Sequence, residues 1–150
     1  MKIGKFSKYM RKAWSVAEDS HDSETKVGAI LINKKTGSVV AEGYNGFIRG
    51  ADDRNLPSTR PEKYKYIIHA EQNLLMNIIH NNMNVDVDNC FLVVTLSPCS
   101  ICMRLLFQAG IKTIIYQDTY RDFEEQCQME DIKVDLSKVG KYNVIELKSK

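Results

Sequence analysis

Apolar residues recur at helical spacing near the start of the chain: Phe6, Tyr9, Met10, Ala13, Trp14 and Ala17 share one face of a predicted helix. Two β-rich runs follow, Val27–Ile32 and Ser38–Tyr44, with Lys34–Gly37 between them, the pattern of an antiparallel hairpin. From Gly46 to Tyr66 the period disappears. Pro57, Pro61 and several charges predict a polar loop, long for a compact domain unless it is functional or ordered by a ligand. Periodicity returns at His69, where Ala70, Leu74, Leu75, Ile78 and Ile79 give a second helix its buried face and Asn81-Asn82 end it.

Cys90–Thr95 reads as a buried strand, and Ser97-Pro98 as a helix start, Ser capping free amides and Pro occupying the first turn. The helix runs from Cys99 to Ala109 and stops at Gly110. Lys112–Tyr116 is a further strand, Asp122–Met129 a short helix and Tyr142–Leu147 a last strand. No repeat, low-complexity tract or linker divides the chain, so residues 1–150 are expected to form a single domain. Strands alternating with helices predict an α/β fold, a three-layer α/β/α sandwich around a mixed five-stranded sheet.

Composition narrows the function classes. With 43% apolar and 27% charged residues the chain has the balance of an ordinary globular domain, which argues against disorder. A net charge of +2 argues against a nucleic-acid or membrane partner. The longest apolar runs, Ala29–Ile32 and Cys90–Val94, fall far short of a membrane span, and Met1–Lys12 lacks the apolar stretch of a signal peptide. The expected location is the cytoplasm, where Cys90, Cys99, Cys102 and Cys127 stay reduced and need another explanation than disulfides.

His69-Ala70-Glu71 opens one predicted helix and Pro98-Cys99-Ser100-Ile101-Cys102 opens the next. A thiolate at a helix N-terminus is stabilised by the dipole and unpaired amides there, which readies it for a metal. One imidazole and two thiolates leave tetrahedral zinc one ligand short, the mark of a catalytic rather than a structural site. Two thiolates cancel the charge of Zn²⁺, so its water is less acidified and a nearby carboxylate becomes useful; Glu71 lies close enough to accept a proton without ligating. Cys90 and Cys127 read as buried, apolar-like cysteines and His21 and His80 as solvent-facing. A closed site using Cys90 or Cys127 would make the chain a non-enzymatic, zinc-stabilised interaction module.

His-x-Glu followed by Pro-Cys-x-x-Cys is the signature of zinc nucleobase deaminases. Together with Ser20–Ala29, Gly43-Tyr44-Asn45-Gly46-Phe47-Ile48-Arg49-Gly50, Gln108–Lys112 and Asp118–Arg121, it makes the chain resemble the deoxycytidylate (dCMP) deaminases of the cytidine deaminase-like superfamily, in a bacterial or phage form. The resemblance runs from the first helix to Arg121. It implies hydrolytic deamination of dCMP to dUMP with release of ammonia, feeding dTMP synthesis. It further implies Zn²⁺ held by His69, Cys99 and Cys102, with Glu71 as the catalytic proton carrier. Asn45, the Ala70 amide and the Ser97 carbonyl would bind the nucleotide, Tyr120 and Arg121 would flank sugar and phosphate, and Lys26 is a further phosphate candidate. The family resemblance also implies a homo-oligomer, commonly a hexamer, activated by dCTP and inhibited by dTTP with Mg²⁺. Gly43, Tyr44, Gly46, Arg49 and Lys65 are the candidate effector residues, with Asp52 to help hold Mg²⁺. Two departures stand out: Ala51–Ile68 contains no Cys or His for a second zinc, and Leu74 sits where the family usually has Ala. The rival enzymes are zinc deaminases of a nucleoside, a base or tRNA, the last expected to show a broad basic face.

Overall fold

The N-terminal stripe forms helix α1 (Ile3–Ala17), which buries Phe6, Tyr9, Met10, Ala13 and Ala17. Trp14, expected among them, is 38% exposed, its indole N–H donating to Gln117 Oε1 at 3.2 Å. The structure, a computed structural model, describes residues 3–57, 59–119 and 133–148. The expected hairpin is present as β1 (Gly28–Asn33) and β2 (Val39–Tyr44), paired antiparallel. Its turn is organised by Asn33, whose Oδ1 accepts the Lys35 and Thr36 amides.

On its other side β1 pairs antiparallel with β3 (Cys90–Leu96), and β3 runs parallel to β4 (Thr113–Asp118) across helix α3 (Ser100–Gln108). Beyond β4 lie β6 (Tyr142–Leu147) and then β5 (Val134–Val139), both antiparallel to their neighbours. The sheet order is β2-β1-β3-β4-β6-β5. The mixed sheet is therefore as expected, but it has six strands rather than five. The additional strand, β5, lies at the edge and fully buries none of its six residues, and its apolar positions, Val134, Leu136 and Val139, do not keep a strict alternation, so its signal in the sequence is weak. The predicted helix Asp122–Met129 lies outside the described residues, as does Cys127.

Alternation along the strands builds the three layers. Ile30, Ile32, Phe91, Val93 and Ile115 point to α1, whereas Ala29, Leu31, Leu92, Val94 and Ile114 point to the opposite face. There they meet Leu74 of helix α2 (Ala70–His80) and Met103 and Leu106 of α3. Two glycines permit the close stacking. A Cβ at Gly28 would strike the Ala13 carbonyl of α1, and one at Gly43 would strike the Leu74 amide of α2. Leu74 is fully buried at that contact, so the bulk that departs from the family pattern is absorbed by the core.

The start of α3 differs from expectation. Its N-cap is Cys99, whose sulfur accepts the Cys102 amide at 3.4 Å, while Pro98 precedes the cap. The Ser97 amide instead donates to the Asp118 carbonyl at 2.8 Å, extending the β3–β4 pairing by one step. The polar loop after Gly46 contains two short 3₁₀ turns, Asp53–Asn55 and Glu62–Lys65.

Candidate active site

Two helix starts converge to make the site. His69 is the N-cap of α2, held in extended conformation by its own amide donating to Gln72 Oε1 at 2.9 Å. The preceding Ile68 exchanges two backbone hydrogen bonds with Gly46, at 2.7 and 3.0 Å, fixing the chain as it enters the helix. Cys99 caps α3 directly after β3, and Cys102 lies one turn on. His69 Nδ1 is 3.7 Å from Cys99 Sγ and 3.4 Å from Cys102 Sγ, and all three donor atoms lie within 4.8 Å of one another.

Those distances fit zinc. Ordinary Zn–S and Zn–N bonds at a tetrahedral angle place nitrogen and sulfur about 3.6 Å apart. His69, Cys99 and Cys102 are the residues that would hold the ion, and among the described residues no fourth His, Cys, Asp or Glu joins the cluster. Cys90 is buried elsewhere, with its thiol donating to the Asp86 carbonyl at 3.3 Å, in line with its expected structural role.

The electrostatics match a cation-binding site beside a base. Hydrogen bonding from Cys102 and His69 pulls the Cys99 thiol down to about 4, whereas the Cys99 sulfur beside it and burial push the Cys102 thiol up. A divalent ion bound here would take the place of the proton this sulfur pair otherwise retains. Cys99 in turn raises the His69 imidazole above its ordinary value. Burial pushes the Glu71 carboxyl up to about 6, with only 4% of the residue exposed.

Glu71, His69 and Cys99 open into a cavity of about 1010 Å³. The expected substrate residues Asn45, Ala70 and Ser97 all line it. The Asn45 side chain is tightly engaged: Oδ1 accepts the Val27 amide at 2.9 Å, and Nδ2 donates to the Thr25 carbonyl at 2.8 Å. Lys26 is exposed and lies outside the lining, between Thr25 and Val27, which belong to it. Tyr120 and Arg121 lie outside the described residues, one step beyond Thr119, the last lining residue in sequence.

Among the lining residues that the sequence did not mark as site candidates are Asp22, Arg60, Lys63 and Tyr64. Asp22 Oδ1 accepts the amides of Glu24 and Thr25, the local habit of an Asp turn and the one signal that could have drawn attention to it. Lys63 is 3% exposed although the loop around it is polar. Arg60 reaches Thr25 Oγ1 at 2.8 Å and stands 6.0 Å over the Tyr64 ring.

A second cavity of about 660 Å³ is lined by Tyr44, Gly46 and Arg49 among others. Arg49 donates to Asn77 Oδ1 of α2. The remaining effector candidates sit elsewhere: Gly43 is buried under α2, Asp52 pairs with Arg54 at 3.0 Å, and Lys65 lines neither cavity. His21 and His80 are exposed, as expected, and both border this second cavity.

Residues 4–118 match the family described as the cytidine and deoxycytidylate deaminase zinc-binding region. A deoxycytidylate deaminase of Mus musculus is 39% identical over 124 residues, covering 78% of this chain and 67% of that protein. The crystal structure of dCMP deaminase from the cyanophage S-TIM5, in complex with dCMP and dUMP, is 32% identical with a TM-score of 0.67, covering 85% of this chain and 93% of that one. A cytidine deaminase from Burkholderia pseudomallei, 18% identical with a TM-score of 0.51 over 77% of this chain and 83% of that one, shares the fold.

Proposed function

The chain belongs to the cytidine and deoxycytidylate deaminase zinc-binding family, and from that premise we propose that its 150 residues form one catalytic domain that hydrolyses dCMP to dUMP and ammonia. The observation that carries the reading is the convergence of His69, Cys99 and Cys102 at zinc-ligand spacing beside a buried Glu71 in one cavity. Zinc held there supplies the Lewis acidity that makes a water nucleophilic near neutral pH. Glu71, buried in the cavity beside the three ligands, is placed to take a proton from the attacking water. It returns that proton to the ring nitrogen, then takes the second proton of the added water and delivers it to the amine, which leaves as ammonia as the carbon–nitrogen bond breaks and the carbonyl forms. The Ala70 amide and Ser97 carbonyl read the base, Asn45 orients the nucleotide, and Tyr120, Arg121 and Lys26 serve sugar and phosphate.

The second cavity supports an effector site at Tyr44, Gly46 and Arg49, taking dCTP as activator and dTTP with Mg²⁺ as inhibitor. Met76 and Ile79 on α2, with Ile101 and Leu105 on α3, are large apolar side chains left exposed, and they support a homo-oligomer, in our reading a hexamer. Among the described residues no helix is long and apolar enough to cross a membrane, and we place the enzyme in the cytoplasm.

A product assay on dCMP, CMP, deoxycytidine, dCTP and cytosine tests the assignment. The expected outcome is dUMP from dCMP at a kcat/KM at least about tenfold above that for deoxycytidine, the worth of one charged hydrogen bond to phosphate. Equal turnover of nucleoside and nucleotide moves the chain to the nucleoside enzymes.

A further inference from the structure

A lysine ammonium carries a heavy desolvation cost when buried, and such groups persist where partners hold them. Lys63 is such a group, in the least regular part of the chain. Its Nζ lies 3.0 and 2.9 Å from the two oxygens of Asp22 and 3.6 Å from Glu24 Oε1. Its side chain is 4% exposed and that of Asp22 1%. Two of the ammonium's three N–H bonds thus have an Asp22 oxygen within hydrogen-bond distance, and Glu24 adds a further negative charge at ion-pair distance.

What Lys63 holds is a chain of contacts ending at the substrate wall. Asp22 Oδ1 accepts the Glu24 and Thr25 amides, and Oδ2 lies 3.4 Å from Asn45 Nδ2. Asn45 then accepts the Val27 amide and donates to the Thr25 carbonyl, while its own carbonyl accepts Ser20 Oγ at 2.8 Å. The Lys63 carbonyl accepts the Tyr66 and Ile67 amides at 3.0 and 2.9 Å, two residues before His69. Lys63, Asp22, Thr25, Asn45 and His69 all face the same cavity.

We propose that Lys63 is a positioning residue of the active site: by neutralising and fixing Asp22 it sets the Asn45 side chain and the 22–27 turn in the geometry that receives the nucleotide. Without it, the Asp22 carboxylate is a buried charge lacking its principal partner; it takes up a proton or turns to water, and the amides it orders are released. The proposal rests on reading the large cavity as the dCMP site, so one of its measurements needs no substrate.

The test compares Lys63→Met, Lys63→Arg and the parent, each loaded with zinc. In Lys63→Met the Glu24, Thr25 and Val27 amides should exchange hydrogen at least about tenfold faster, with the core amides of Ile30 and Leu92 unchanged. KM for dCMP should rise by about tenfold or more, with kcat within about threefold and zinc still near one per chain, since transition-state chemistry at Glu71 is untouched. Lys63→Arg should recover part of the KM. Unchanged exchange and KM, a loss of stability with KM unmoved, or a fall in kcat with KM unmoved would each overturn the proposal. Should Lys63→Met not accumulate, Asp22→Asn breaks the same link and must also raise KM; a lowered KM would show that freed Lys63 binds phosphate directly and would sink the positioning role. Failure of the parent to deaminate dCMP is a separate result, which leaves the exchange measurement to decide the coupling.

Discussion

His69, Glu71 and Cys99 reach the cavity from the first turns of α2 and α3, each start locked by a bond spanning three residues: His69 amide to Gln72, and Cys102 amide to Cys99 sulfur. Asp22, Asn45 and Lys63 reach the same cavity from loops, through bonds that join positions 18 to 41 residues apart. Bond-making chemistry needs donor atoms held to a fraction of an ångström, and short-range helix geometry on a packed sheet provides that. The loop-borne wall depends instead on one buried ion pair and an amide side chain. Variants of the two groups should therefore fail differently: the first in metal content or kcat, the second in KM and stability.

The sharpest contrast comes from the metal. Cys99→Ala removes a ligand and the α3 N-cap together, so metal analysis should show zinc lost and turnover at background, while Lys63→Met keeps its zinc. Retention of stoichiometric zinc by Cys99→Ala would break the division between the two groups.

Glu71→Gln comes next. It should keep about one zinc per chain and lose roughly 10²–10⁴-fold in kcat, the usual worth of a general acid–base group. Its stability should move the opposite way. The folded carboxyl is raised from 4.5 to about 6 chiefly by burial, so its stabilising contribution exists below the unfolded value and is lost as pH rises through 6. At pH 8 the ionised, buried form costs about 2 kcal/mol in the metal-free protein, a cost Gln does not carry. Denaturant titration of metal-free Glu71→Gln at pH 8 should accordingly show higher stability than the parent; lower stability would mean Glu71 is held by structural bonds.

The smallest effect is expected at Asp22. Burial alone would raise its carboxyl, but the Lys63 ammonium and the Thr25 and Glu24 amides outweigh that and hold it below 3.8. A lowered folded value gives stability that is complete above the unfolded one and is lost as pH falls through the folded one. Acid unfolding of the parent should therefore steepen below about pH 4, and Asp22→Asn should flatten that limb. Near neutral pH the same variant should cost up to about 3 kcal/mol, the low end for stranding a buried charge, since Glu24 still faces Lys63. Identical acid limbs would show that the pair does not support the loop-borne wall.

These contrasts mirror what could be read along the chain. By itself the sequence determined three helices, five strands of the mixed sheet, and the His69, Cys99 and Cys102 cluster with Glu71 beside it, because each is written in local grammar: a period of apolar residues, a helix start, or a His-x-Glu and a Cys-x-x-Cys spacing. The edge strand β5 was hidden because only its end valines, Val134 and Val139, pack against the core and neither is fully buried. The capping role of Cys99 went to Ser97 in the sequence reading because Ser is the commoner cap and the pairing of Ser97 with Asp118 needs β4 in place. Only the tertiary structure decided that Lys63, one lysine among many in a polar loop, would be buried against Asp22, and that Gly43 would serve helix packing. Both depend on segments that meet only after the sheet has formed, and a loop charge carries no periodicity to announce which distant carboxylate will receive it.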